Sequence, residues 1–268
     1  MAKNVHGLKC IHCLNTPNII TDDHVIPKSW YSEEHSKEAH KPTAPSCYEC
    51  NQKLGKQEKM VSHHMWMCMP EDHPLVPELR QRVYRACGIG PDGKPLFELG
   101  HKERMIRKKY LDKLLAMTSP ASGLDEKLLM PGFTFHPGYS KDQQRYIRFD
   151  KSMVEELAAK VVRGLEYIQG SRQRYIESPY KLEIYFPTNP KDTGLQAIRN
   201  LCSVFSDGTN TIQRGAVPEK PLEPIYIIRL WDHWEIWGVI AHEDEWKKID
   251  ESIAVEKGAS PVSSLNTS

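Results

Sequence analysis

The sequence predicts an α+β protein with three parts: a small metal-held N-terminal unit, a helical connector and a C-terminal α+β unit with an antiparallel sheet. Three observations lead there. Cys10-x-x-Cys13 and Cys47-x-x-Cys50 are two cysteine pairs at the spacing that holds one tetrahedral ion, most plausibly zinc. An apolar stripe at helical spacing (Met153, Val154, Leu157, Val161, Leu165, Ile168) runs through residues 150–170. Runs rich in β-branched and aromatic residues follow at 181–186, 201–205, 224–230 and 234–241.

Taken in order, residues 8–20 predict a knuckle-like hairpin, with Cys-x-x-Cys, a turn at 15–18 and the extended pair Ile19-Ile20. Val25 and Ile26 continue an extended segment that Pro27 ends. Residues 28–46 are polar and predict a loop, with Pro42 and Pro45 keeping the approach to Cys47 extended. A helix is predicted over 51–66, with Asn51 in its first turn and Gly55 its weakest helix former. The Pro- and Gly-punctuated stretch 69–100 leaves room for a short helix at 77–87. Residues 101–117 predict a basic amphipathic helix. Met105, Ile106, Tyr110, Leu114 and Leu115 lie on one side, with Arg104, Arg107, Lys108 and Lys109 elsewhere on its surface. Residues 118–123 and the Gly/Pro-rich 130–139 predict a connection between units. Ser152 is the candidate cap of the 150–170 helix and Gly170 its stop. Asp232-His233 predicts the turn of a hairpin between the last two strands. Residues 257–268 are Ser-rich and predict a disordered tail. The predicted units are 1–68, 69–125 and 126–256, followed by that tail.

Hydrophobic residues make up 39% of the 268, with six Trp, which is enough to build a core and argues against a disordered chain. No apolar run reaches membrane-spanning length, and the start of the chain lacks the apolar core of a signal peptide. A cytoplasmic protein with no membrane partner is therefore expected. In a reducing compartment paired cysteines read as metal ligands, while Cys68, Cys87 and Cys202 read as small buried apolar residues. The net charge of +1 excludes a protein drawn to nucleic acid by bulk charge. Residues 1–115 hold eighteen Lys/Arg against fourteen Asp/Glu, an excess that permits nucleic-acid binding without arguing for it. The basic helix reads as a solvated face. Trp231, Trp234 and Trp237 read as packing for the C-terminal sheet, and His63, His64, His233 and His242 as structural or exposed.

Between the cysteine pairs stands Asp22-Asp23-His24-Val25-Ile26-Pro27, and Asn51 directly follows Cys50. With those residues in place, 8–66, about a quarter of the chain, resembles the HNH endonucleases, also called ββα-metal or His-Me finger nucleases. The resemblance is to members with a four-cysteine zinc and a final Asn. It implies a ββα-metal finger over 1–68, with a closed, structural Zn²⁺ on Cys10, Cys13, Cys47 and Cys50. It implies a catalytic Mg²⁺ or Mn²⁺ on Asp23 and Asn51, and His24 as general base. Lys28, Lys53 and Lys56 are the candidate substrate contacts. The implied reaction is hydrolysis of DNA phosphodiester bonds, leaving 5′-phosphate and 3′-hydroxyl ends. RNA is not distinguished by the motif. The C-terminal unit is expected to serve substrate or protein-partner recognition, as in nucleases of phage defence or mobile elements.

Two assignments stay open in the sequence. Either Asp22 or Asp23 could be the metal acid, and Asn51 could instead orient His24. Asp23 and His24 can address one site only if the strand is irregular there, since side chains alternate. No Asn stands in 28–46, where the family often has one, and His63 lies about 18 Å along a helix from Asn51. The alternative reading is a non-catalytic zinc module that binds nucleic acid or a protein.

Overall fold

The extended segment before Val25 and the helix near Cys50 read from the first 68 residues recur in three dimensions, while the second strand lies at 43–47, in a stretch read as loop. The computed structural model describes residues 2–3, 7–33, 41–70, 72–96, 98–124, 140, 142, 144–147, 150–187, 193–206 and 209–248. The predicted connection at 130–139 and the tail at 257–268 lie outside them, as do residues 34–40 of the predicted loop. Strand β2 (Ile20–His24) pairs antiparallel with β3 (Thr43–Cys47), Ile20 opposite Cys47 and His24 opposite Thr43. The two-residue β1 (Ala2–Lys3) joins the other side of β2. The 28–46 stretch is therefore not all loop. Lys28–Trp30 forms a 3-10 turn that buries Trp30, and β3 occupies its end. Pro45 is tolerated in β3 because that strand is an edge, where a missing N–H costs no ladder bond.

Helix α1 (Tyr48–Met67) begins directly after β3, three residues earlier than predicted, because Cys47 caps it and Cys50 lies inside its first turn. Helix α2 (Val76–Cys87) follows and ends on Gly88 at φ 75°, the left-handed position glycine adopts freely. In α3 (His101–Ala116) the predicted apolar side is only partly used. Leu114 is buried and Tyr110 half-buried, but Met105, Ile106 and Leu115 are exposed, since the helix packs along one edge only. Strands β4 (Thr118–Pro120) and β5 (Arg145–Ile147) form a small ribbon.

Helix α4 (Lys151–Gln169) matches its prediction closely, and Val154, Leu157 and Val161 of the stripe are buried. Its cap is Asp150, not Ser152. The Asp150 carboxylate accepts the Ser152 N–H at 3.0 Å, because the capping oxygen must stand one residue before the first turn. The helix lies between the two sheets. A Cβ on Gly164 would stand 2.6 Å from Val25 Cγ2, and a Cβ on Gly238 would stand 2.7 Å from Val162 Cγ2. Both close approaches exist because glycine has no side chain. Gly164→Ala should accordingly lower stability by about 1–3 kcal/mol despite alanine's better helix propensity, read as a drop in Tm.

The second sheet has the order β6 (Tyr180–Tyr185), β10 (Trp234–His242), β9 (Ile225–Leu230), β8 (Asn210–Gly215), β7 (Ser203–Ser206), with every pairing antiparallel. Strand β8 and helix α5 (Thr193–Leu201) were not predicted. The β9–β10 hairpin turns through Trp231, Asp232 and His233, one residue earlier than expected, with Trp231 and Asp232 at φ 51° and 52°. Trp231, Trp234 and Trp237 are buried, as read from the sequence. Trp231 also donates its indole N–H to the Trp30 carbonyl at 2.8 Å, which ties this sheet to the N-terminal unit. One apolar cluster runs from Val25, Trp30 and Met65 through Leu157 and Val161 to Tyr226, Ile228 and Ile236. Residues on both sides of the predicted 125/126 boundary share that core. Among the described residues no helix is long and apolar enough to cross a membrane.

His63 is buried, and its Nδ1 meets the Tyr110 hydroxyl at 2.7 Å. Burial, with Lys59 nearby, holds its imidazole down to about 4 from an ordinary 6.5. Below 6.5 the unfolded chain takes up this proton while the folded chain does not. Stability should therefore fall between pH 6.5 and about 4, by up to about 1.4 kcal/mol per pH unit from this group. Urea midpoints across that window, flattened in His63→Phe, are the check.

Candidate metal centre and the Asp23 cluster

The first cysteine pair is set by a tight turn. Leu14 donates its N–H to the Cys10 carbonyl at 2.9 Å with Leu14 at φ 62°, and Cys10 donates its own to Asn15 O at 2.8 Å. The second pair straddles the end of β3 and the first turn of α1, where Cys47 caps the helix by accepting the Cys50 N–H on sulfur at 3.4 Å. Ile11 donates its N–H to the Pro45 carbonyl of β3 at 3.0 Å, which holds the first pair beside the second. The four Sγ atoms of Cys10, Cys13, Cys47 and Cys50 all lie within 4.8 Å of one another, and Cys13 and Cys47 are 3.9 Å apart. Sulfurs at about 2.3 Å from a tetrahedral zinc lie about 3.8 Å apart, so the spacing fits that ion.

The electrostatics ask for a cation as well. Burial pushes the Cys47 thiol up to about 11, and burial together with the neighbouring sulfurs pushes Cys50 up further. Cys10 is also raised by burial, but hydrogen bonding around the knuckle outweighs this and holds it below its usual value. Four clustered thiols cannot all ionise without a dication to compensate them. Zinc held by four thiolates would have no open position, so its role there would be structural.

Beside it lies a second constellation that the motif foreshadows only in part. Strand β2 is regularly paired through His24, so its side chains alternate. Thr21 and Asp23 turn toward the helices. Asn51 donates its amide to Thr21 Oγ1 at 2.8 Å, two residues before Asp23 and on the same strand face. Asp22 turns the other way, into a cavity of about 220 Å³ lined also by Thr43, Tyr167 and Arg172. The alternation puts His24, the last residue of the strand, with Asp22 rather than with Asp23. The irregular backbone that would let Asp23 and His24 share one site is absent.

Asp23 itself is only 6% exposed, and both of its oxygens are engaged. Oδ1 accepts from Lys160 Nζ at 2.6 Å and Oδ2 meets His12 Nε2 at 3.3 Å. Lys160, buried to 1% exposure on α4, also donates to Glu58 of α1. Burial works to raise the Asp23 carboxyl, but His12 and Lys160 outweigh it and hold the group below its ordinary value. Glu58 is raised, mainly by burial. In this arrangement each Asp23 oxygen already has a partner and the Lys160 ammonium at Oδ1 would repel a divalent ion, so the residues do not fit a catalytic metal until Lys160 moves.

His24 is half-buried, and burial together with Lys28 lowers its pKa, which favours the neutral imidazole. Of the candidate substrate contacts, Lys28 and Lys56 are exposed, whereas Lys53 pairs with Glu156 at 2.7 Å. His12, Glu58, Lys160 and Arg163 were not singled out from the sequence. Arg163, one turn beyond Lys160, is held below its usual value by burial, which outweighs the favourable charges of Cys50, Glu156 and Cys10. No protein-family model matches the chain, and no curated protein or solved structure matches it either.

Proposed function

We propose that this protein is a metal-dependent endonuclease of the HNH type that hydrolyses DNA phosphodiester bonds, with its centre on the zinc-held hairpin and helix. The observation that supports the reading is the Asn51–Thr21 hydrogen bond. The cysteine cluster fixes the start of α1 against β2, and Asn51 thereby reaches the strand face that carries Asp23. His24 serves as general base: its neutral imidazole takes a proton from the attacking water as the new P–O bond forms and the bond to the 3′ oxygen breaks. Asp23 and Asn51 are the residues assigned to a divalent ion, which requires release of Lys160 and, since β2 is regular through His24, a turn of that strand end that brings the imidazole to the side of Asp23. The exposed Lys28 and Lys56 are assigned to phosphate contact, and the C-terminal sheet to recognition of substrate or a protein partner.

A second reading has its own support. The engagement of Asp23 by Lys160 and His12 suits a non-catalytic zinc module that binds nucleic acid or protein. The experiment that separates the two is cleavage of supercoiled plasmid and of labelled single-stranded DNA with Mg²⁺ or Mn²⁺, wild type beside His24→Ala, after the zinc content of both is measured. Cutting by wild type alone, at equal zinc, supports the nuclease. DNA retained in a gel shift but cut by neither protein supports the module.

A further inference from the structure

A lysine buried to 1% exposure is costly unless its ammonium is compensated, and here two carboxylates surround it. Lys160 Nζ lies 2.6 Å from Asp23 Oδ1 and bonds Glu58 as well. It is a cation held by oxygen ligands from β2 and α1. The helix that carries it is fixed on both sides of this point. One turn earlier Glu156 accepts from Lys53 and from Gln57, both at 2.7 Å, and one turn later Gly164 is packed against Val25. The four-carbon lysine stem is therefore the movable part, not the helix.

We propose that Lys160 is an internal counter-ion that fills the place of a divalent cation beside Asp23 and Glu58, and that it must swing away before Asp23 can bind a metal. This rests on the nuclease reading above and adds a regulatory contact to it: α4, from beyond the predicted domain boundary, holds the centre closed. Two carboxylates left without their ammonium are hard oxygen donors suited to Mg²⁺ or Mn²⁺, with the buried His12 imidazole bonded to the other oxygen of Asp23. A competing cation at the same oxygens weakens metal binding in the intact protein. Glu58 gains a role that the HNH resemblance does not assign, as a second carboxylate in the same cluster.

The test uses the full-length zinc-loaded protein and Mn²⁺ as the probe. Loss of the free Mn²⁺ paramagnetic resonance signal is titrated for wild type, Lys160→Met and Asp23→Asn/Lys160→Met. The expected result is Mn²⁺ binding about tenfold or more tighter in Lys160→Met than in wild type, and lost again in the double variant. Should Lys160→Met fail to fold, acylation of the wild type by an N-hydroxysuccinimide ester, read by peptide mass spectrometry, still decides. Lys160 should be protected without Mn²⁺ and modified several-fold faster at saturating Mn²⁺. Equal or weaker Mn²⁺ binding in Lys160→Met, or a Lys160 that stays protected with Mn²⁺ bound, overturns the proposal. If either result came with cleavage lost in His24→Ala, the nuclease reading would stand without it. No Mn²⁺ taken up by any variant overturns the proposal together with the divalent-ion part of that reading.

Discussion

Cys47→Ser should cost the protein its zinc and melt β2, β3 and the start of α1. Cys47 carries two duties at once. It ends β3 opposite Ile20, and its sulfur both caps α1 through the Cys50 N–H and lies 3.9 Å from Cys13. Serine can preserve the cap but is a poor zinc ligand beside three thiolates. Apparent zinc binding to structural sites is worth on the order of 10 kcal/mol at neutral pH, and a whole domain is stable by only about 5–15 kcal/mol. Loss of the ion is thus comparable to the total stability of the unit. Metal analysis and far-ultraviolet circular dichroism would show it, and a strong chelator should reproduce it in the wild type. Cys202→Ala is the control, since Cys202 lies outside the cluster and should leave zinc in place. A Cys47→Ser protein that kept its Tm would mean that the four sulfurs pack without a metal.

His24→Ala should reduce DNA cleavage by about 10²–10⁴-fold while leaving zinc and fold unchanged. The size follows from losing a positioned base, and the specificity from its placement. His24 is half-buried at the end of β2, away from the sulfurs, and burial with Lys28 keeps its imidazole neutral near neutral pH. A histidine that only supported the hairpin would, when replaced, change the Tm and not the cleavage rate. Single-turnover cleavage and thermal melts on the same preparations distinguish the two. Lys53→Ala should change little by comparison, because Lys53 is already paired with Glu156.

What the sequence made legible was the part governed by local rules. Cysteine spacing located the four-sulfur cluster, and helical periodicity located α4 to within a residue at each end. The apolar runs located four of the five strands of the large sheet. What escaped depends on long-range packing. Strand β8, with Asn210, Thr211 and Gln213, carries too few apolar residues to announce itself, yet it is paired on both sides. Among the described residues only Leu114 and Tyr110 of the α3 stripe are covered, and the exposure of Met105, Ile106 and Leu115 could not be read from the spacing alone. The Asp23 cluster is the clearest case, since its partners come from positions 12, 58 and 160. One signal was there to find. Lys160 stands three residues after Leu157 on the buried face of an otherwise apolar helical stripe, and a charge at a core position requires a buried partner.

The proposed centre is one zinc ion, held by four cysteine sulfurs, that fixes α1 and Asn51 against β2. Zinc K-edge X-ray absorption on the purified protein, with zinc quantified per chain, tests it most directly. About one zinc per chain in a shell of four sulfurs at about 2.3 Å is the expected result. Little zinc, or a shell that mixes nitrogen or oxygen with fewer sulfurs, would contradict the account.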